Sequence, residues 1–217
     1  HSHILKLNFS QIITNIISSI ISPFISKVFF VSNFTKSWWL KYFFIYRFSN
    51  HEVFYNSIFL PKTRKTKKTR KIVKRIGFVG RLEKEKGIDV YSNIAKKLLK
   101  YNFEFQIFGA GTYKNKIFKN KKIHLNGWLN QKSIYKKIDI LLLTSPIENC
   151  PYSVLEAKSY GIPTLCISRG GVREIIKNNY NGIILKNKFD INQIKNSLFN
   201  IKKKYNKFER ECIKDSK

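Results

Sequence analysis

From residue 76 onward the chain alternates short apolar runs with stretches of helical spacing, and no other feature constrains its fold as tightly. Residues 76–79, 103–108, 123–125, 139–143, 163–167 and 182–185 read as strands. The stretches between them read as helices. The clearest puts Val90, Ile94 and Leu98 on one face and Lys96, Lys97 and Lys100 outside it. Five strand–helix steps with short loops build a parallel, doubly wound α/β sheet, because parallel neighbours need a crossover and a helix supplies it. Ile140-Leu-Leu-Leu143 is apolar throughout, as burial on both faces requires.

A chain of 217 residues holds one full domain and part of another. Upstream, residues 10–22 read as a helix, 27–32 as a strand, 33–44 as a second helix capped by Asn33 or Thr35, and 53–55 as a short strand. The apolar helix and strand are expected to be buried, with a helix lying on a membrane surface as the alternative. Residues 62–75 hold nine Lys or Arg and no acid, the composition of a solvated connector. Ile191, Ile194, Leu198, Ile201 and Tyr205 follow the spacing of one last helix. The expected organisation is a partial N-terminal domain over residues 1–60 and a basic linker over 61–75. A ligand-binding domain over 76–188 and a C-terminal helix and tail over 189–217 complete it.

The chain carries 42 Lys and Arg against 13 Asp and Glu, a net +29. That surface suits anionic partners: nucleotide diphosphates, acidic lipid headgroups or nucleic acid. No platform of aromatics or reading helix accompanies the basic run, so specific nucleic-acid recognition is not expected. The three cysteines show no CxxC spacing, which predicts reduced thiols in a cytoplasmic protein and no zinc site. Residues 11–31 are apolar but interrupted by Gln11, Asn15, Pro23 and Lys27, which argues against a spanning helix or a signal peptide. The chain has no methionine, and one before the bulky His1 would normally be retained. It is therefore expected to begin within a longer protein.

The residues able to do chemistry fall at strand exits, where open α/β sheets bind ligands. Gly80 leaves the first strand, and Arg81 and Lys86 follow with Gly87. Two fixed cations there can hold a diphosphate, Arg bidentately and Lys as a point charge. Gly109 and Gly111 follow the second strand, in a tight turn that either serves packing or lets backbone approach a ligand. Gly170 and Gly171 open a helix after the fifth strand, where N–H groups and the helix dipole can face an anion. Glu148 stands at the exit of the fourth strand, and Glu156 stands eight residues on, in the next helix. Such a pair can grip the hydroxyls of a sugar and a ribose. Ser153-x-x-Glu156 also matches a capping box, and the local sequence leaves both readings of Glu156 open.

Taken in order, these pieces resemble the retaining glycosyltransferases of family 4, which have the GT-B fold. The resemblance runs through Val79-Gly-Arg-Leu-Glu-Lys-Glu-Lys-Gly87, Phe108-Gly-Ala-Gly111, Asn126-Gly127, Ile138 to Ser145, Glu148 to Glu156-Ala, Gly161-Ile-Pro163, Gly170-Gly171-x-x-Glu174 and Asn181-Gly182. Upstream, Val31-Ser32-Asn33 and Tyr55-Asn56-Ser-Ile58 resemble the end of the family's N-terminal domain. There, Ser57 replaces the usual Gly and the usual Asp is missing. His1-Ser-His3 stands about where the family carries a histidine facing the donor sugar.

The resemblance implies a Rossmann-like C-terminal domain that binds a nucleotide sugar, and a remnant of the acceptor-binding N-terminal domain. It implies transfer of a sugar from a nucleotide diphosphate donor to a glycan or lipid-linked acceptor, with retention at the anomeric carbon. The setting it implies is polysaccharide or lipopolysaccharide synthesis on the cytoplasmic side of an anionic membrane. Arg81 and Lys86 would stabilise the leaving diphosphate in place of a metal, so no cofactor or metal is expected. Glu148 would contact donor-sugar hydroxyls, and Glu156 the ribose. Gly80, Gly109, Gly111, Gly170 and Gly171 would line the site, and residues 126–128 would approach the base. A second reading is a truncated, inactive fragment that binds nucleotide or a partner only.

Overall fold

The computed structural model describes residues 9–21, 24, 27–43, 47, 49–60, 72–167, 169–185 and 190–216. The chain divides into two compact units, His1–Asn56 and Ser57–Lys217. His1, His3 and most of the basic run, residues 61–71, lie outside the described residues.

The first unit contains helix α1 (Phe9–Ile21), strand β1 (Val28–Phe30), helix α2 (Asn33–Tyr42) and strand β2 (His51–Val53). β1 and β2 pair in parallel, from Val28 opposite His51 to Phe30 opposite Val53. β2 therefore starts two residues before the expected strand, because pairing with β1, with Lys27 bound to Glu52, outweighs the apolar pattern of residues 53–55. The cap of α2 is Ser32 rather than Asn33 or Thr35. Its extended backbone aims Oγ at the Thr35 N–H, 3.1 Å away. α1 forms as expected but is not buried: Ile12, Ile13, Ile16, Ile17 and Ile20 are 41–60% exposed. The described residues supply no layer over that face. Among them, no helix is long and apolar enough to cross a membrane.

The second unit is a parallel α/β sheet. Its strands are β3 (Arg75–Val79), β4 (Glu104–Phe108), β5 (Ile123–Leu125), β6 (Ile140–Leu143), β7 (Thr164–Cys166) and β8 (Gly182–Ile184). Their order across the sheet is β5-β4-β3-β6-β7-β8. Helices α3 (Ile88–Leu98), α4 (Gln131–Lys136), α5 (Tyr152–Ser159) and α6 (Val172–Ile175) make the crossovers, except that a 3₁₀ turn, Thr112–Lys116, joins β4 to β5. Chain order reverses between β3 and β6, and the carboxyl ends of the strands at such a switch point are where open α/β sheets bind ligands.

The core forms where the sequence pattern places it. Phe105, Ile107, Ile140, Leu142 and Leu165 are at most 1% exposed, and each such burial contributes about 1.5–3 kcal/mol. At the other end of the sheet, the last residues of the basic run are packed. Asp139 is fully buried and bonds the Arg75 guanidinium at 2.7 Å and the N–H groups of Lys74 and Arg75. This tie satisfies the carboxylate and fixes the start of β3 against β6.

The C-terminal stripe forms two helices instead of one, α7 (Ile191–Lys203) and α8 (Tyr205–Asp215), hinged at Lys204. The bend lets Leu198 and Ile201 on one helix and Tyr205 and Phe208 on the other enter the same core. α8 is pinned where Asp215 accepts from Lys158 at 3.0 Å, from Asn181 at 2.8 Å and from Lys177.

Candidate functional site

The site is built at the carboxyl ends of β3 and β6. After β3 the chain runs through Gly80 and Arg81 to the buried Leu82, then makes a 3₁₀ turn at Lys84–Lys86 that closes on Gly87. Gly87 has φ 70°, and a Cβ there would lie 2.3 Å from the Thr144 carbonyl oxygen. Only glycine permits that approach. The Thr144 hydroxyl locks it by donating to the Gly87 carbonyl at 2.8 Å. Lys86 is thereby held over the exit of β6, where its Nζ donates to Glu148 Oε1 at 2.8 Å.

Glu148 is fixed from the other side by the loop after β7. Its N–H donates to the Arg169 carbonyl at 2.9 Å, and its own carbonyl accepts from the Val172 N–H at 3.1 Å. Gly170 packs directly on that carbonyl, 2.5 Å from where a Cβ would lie. The Glu148 side chain is 11% exposed and Lys86 is 32% exposed. A charge-assisted bond between two such backbone-fixed groups presents a preset cation and carboxylate at the switch point.

The other sequence-predicted residues make no hydrogen bond to this pair among the described residues. Arg81 Nη2 donates to Glu85 Oε1, and both side chains are more than 60% exposed, a pairing worth only about 0–1 kcal/mol. Arg81 is thus available to an incoming anion at small cost. Gly80 donates its N–H to the Phe108 carbonyl at 3.0 Å, and Gly109 donates to Gly127 at 3.0 Å, so three adjacent strand exits interlock. A Cβ on Gly109 would lie 1.9 Å from the Gly80 oxygen, and one on Gly111 would lie 2.5 Å from that of Leu82. Loop packing by itself accounts for both glycines. α6 has only four residues, and its first N–H is taken by Glu148, so little helix dipole is on offer there. The N–H groups of Gly170 and Gly171 have no hydrogen-bond acceptor among the described residues.

Glu156 is the fifth residue of α5. The capping box does not form, because Pro151 occupies the cap and Ser153 lies inside the helix. The carboxylate instead accepts from the Tyr135 hydroxyl of α4, with Oε2 at 2.7 Å. Burial pushes the Glu156 carboxyl above its ordinary range, and the Tyr135 hydrogen bond opposes that shift.

Sequence reasoning missed three contributors. Thr144 locks Gly87. Glu83 bonds the N–H and hydroxyl of Thr112, at 2.8 and 2.7 Å, and closes the loop after β4. Tyr135 carried one available signal: a tyrosine on an apolar face must find a partner for its hydroxyl. Ser145, beside Thr144, keeps a buried hydroxyl without a partner among the described residues.

Comparison with known proteins converges on one class. The family described as glycosyl transferases group 1 matches residues 61–217. An uncharacterized glycosyltransferase of Methanocaldococcus jannaschii is 33% identical over 121 residues, 51% of this chain and 31% of the relative. Glycogen synthase of Aquifex aeolicus is 30% identical over 110 residues, 47% of this chain and 24% of the relative. The chain thus spans a third or less of either relative. Among solved structures, TarM superposes with a TM-score of 0.79 at 17% identity, covering 100% of this chain and 45% of its own. HepE of Anabaena, solved in complex with UDP, gives 0.77 at 15% identity, covering 100% of this chain and 65% of its own. At such identities the likeness is one of fold.

Proposed function

Because this chain belongs to the glycosyl transferases group 1 family and has a GT-B type α/β fold, we propose that it is the donor-binding part of a retaining hexosyltransferase of family 4. The observation that carries this reading is the Lys86–Glu148 pair, locked by backbone contacts at the switch point. The donor is a nucleotide diphosphate sugar, and UDP is the favoured carrier because HepE, a neighbour in fold, was solved with it.

In this reading the bond between the anomeric carbon and the diphosphate breaks, and negative charge grows on the leaving oxygen. Lys86 and Arg81 meet that charge. Lys86, already held by Glu148, stabilises it with little reorganisation, the largest kind of catalytic contribution a site of this sort makes. Arg81 leaves Glu85 to do so, while Lys86 stays bridged to Glu148. Glu148 holds donor-sugar hydroxyls, Glu156 the ribose, and the open N–H groups of Gly170 and Gly171 face the sugar–phosphate. The two cations supply the positive charge that a metal would otherwise bring. The acceptor hydroxyl belongs to a glycan or a lipid-linked sugar.

A thermal-shift screen of UDP, GDP and ADP, each with and without a hexose, tests the reading. UDP compounds should raise the melting temperature in proportion to the logarithm of ligand concentration. No shift with any nucleotide would overturn it. Sugar transfer by a longer chain carrying the acceptor domain, but not by this one, would separate catalysis from the nucleotide-binding fragment.

A further inference from the structure

Tyr135 is held by both packing and hydrogen bonding. Its ring is 1% exposed and stacks on Tyr160, with centroids 5.2 Å apart and planes at 20°. The hydroxyl reaches α5 and lies 2.7 Å from Glu156 Oε2 and 3.1 Å from the Ser153 carbonyl. The shorter contact is the charge-assisted one. An ionised carboxylate can accept about four hydrogen bonds, yet Oε1 of Glu156 receives none among the described residues. The carboxylate is thus clamped by one oxygen and presents the other.

We propose that Tyr135 is a positioning residue for donor selection: by holding Glu156 Oε2 it aims Oε1 at the ribose and sets the preference for ribonucleotides. The inference rests on the reading of Glu156 as the ribose-binding residue. Packing does not require the hydroxyl, because a phenyl ring would fill the same slot against Tyr160. The hydroxyl does hold the rotamer of a carboxylate that has no other hydrogen bond among the described residues. A freely rotating Glu156 would spend part of its time facing away and would lose selectivity while keeping its charge.

The test is calorimetry with UDP and with 2′,3′-dideoxy-UDP on wild type, Tyr135→Phe, Glu156→Gln and the double variant. The ratio of the two affinities cancels any unfolded fraction of a variant. Wild type should favour UDP, and Glu156→Gln should lose most of that preference. Tyr135→Phe should cut the preference by about threefold or more, with the dideoxy affinity unchanged. The double variant should match Glu156→Gln, because Tyr135 acts through Glu156. If Tyr135→Phe keeps the full preference while Glu156→Gln loses it, the positioning role is wrong and the ribose reading stands. If neither variant changes the ratio, both are wrong.

Discussion

Glu156 shows how far one residue's meaning depends on what surrounds it. The spacing Ser153-x-x-Glu156 fits a helix cap, but α5 begins two residues earlier than that cap needs, at Tyr152. Pro151 favours such a start because its ring presets the backbone and it has no N–H to satisfy. The carboxylate is left to Tyr135, a partner 21 positions away that no local pattern reveals. Burial raises its pKa above the unfolded value. Folding therefore favours the protonated form, and that contribution is lost as pH rises through the raised pKa. Glu156→Gln should then melt no lower than wild type at neutral pH, while at low pH the two should converge. Melting curves between pH 4 and 8 check this, and a lower melting temperature at neutral pH would restore a structural role. Lys86 and Glu148 were more legible, because a cation after a glycine turn and an acid at a strand exit have few structural excuses.

At the scale of elements, the strands were readable and their ends less so. β3 to β8 all overlap the apolar runs, and β6, apolar throughout, is buried along its whole length as a strand covered on both faces is. Two features escaped. The crossover from β4 to β5 is a 3₁₀ turn, whose five residues carry no helical stripe to detect. The C-terminal stripe keeps its spacing across Lys204 although the helix axis changes, because spacing records which residues face the core and not whether the axis is straight. The loops at strand exits are set by close approach between backbones. Gly87 on Thr144, Gly109 on Gly80 and Gly170 on Glu148 each mark a contact between segments far apart in sequence. The sequence shows those glycines but not which neighbour requires them.

At the scale of the whole molecule, charge is the dominant property. One side of the second unit brings together α3, the 3₁₀ turn at Thr112–Lys116 and α7. Lys96 lies over the ring of Phe118, Lys116 over Tyr113 and Lys202 over Phe103, with Phe118 and Phe199 36% and 40% exposed. On the proposed reading, the net +29 would favour docking on anionic membranes, at roughly 1 kcal/mol per lysine near the surface. Co-sedimentation with phosphatidylcholine vesicles should rise steeply when a third of the lipid is phosphatidylglycerol. Binding indifferent to that change would exclude electrostatic docking.

The central claim is that the switch point between β3 and β6 binds a nucleotide diphosphate through a fixed cation. Isothermal titration of UDP into wild type and Lys86→Ala measures it directly. Loss of a charge-assisted bond to phosphate costs about 1.5–3 kcal/mol, a factor of roughly ten or more in affinity. The account predicts saturable binding to wild type and at least about tenfold weaker binding to the variant. Equal affinity in a folded Lys86→Ala protein would contradict it.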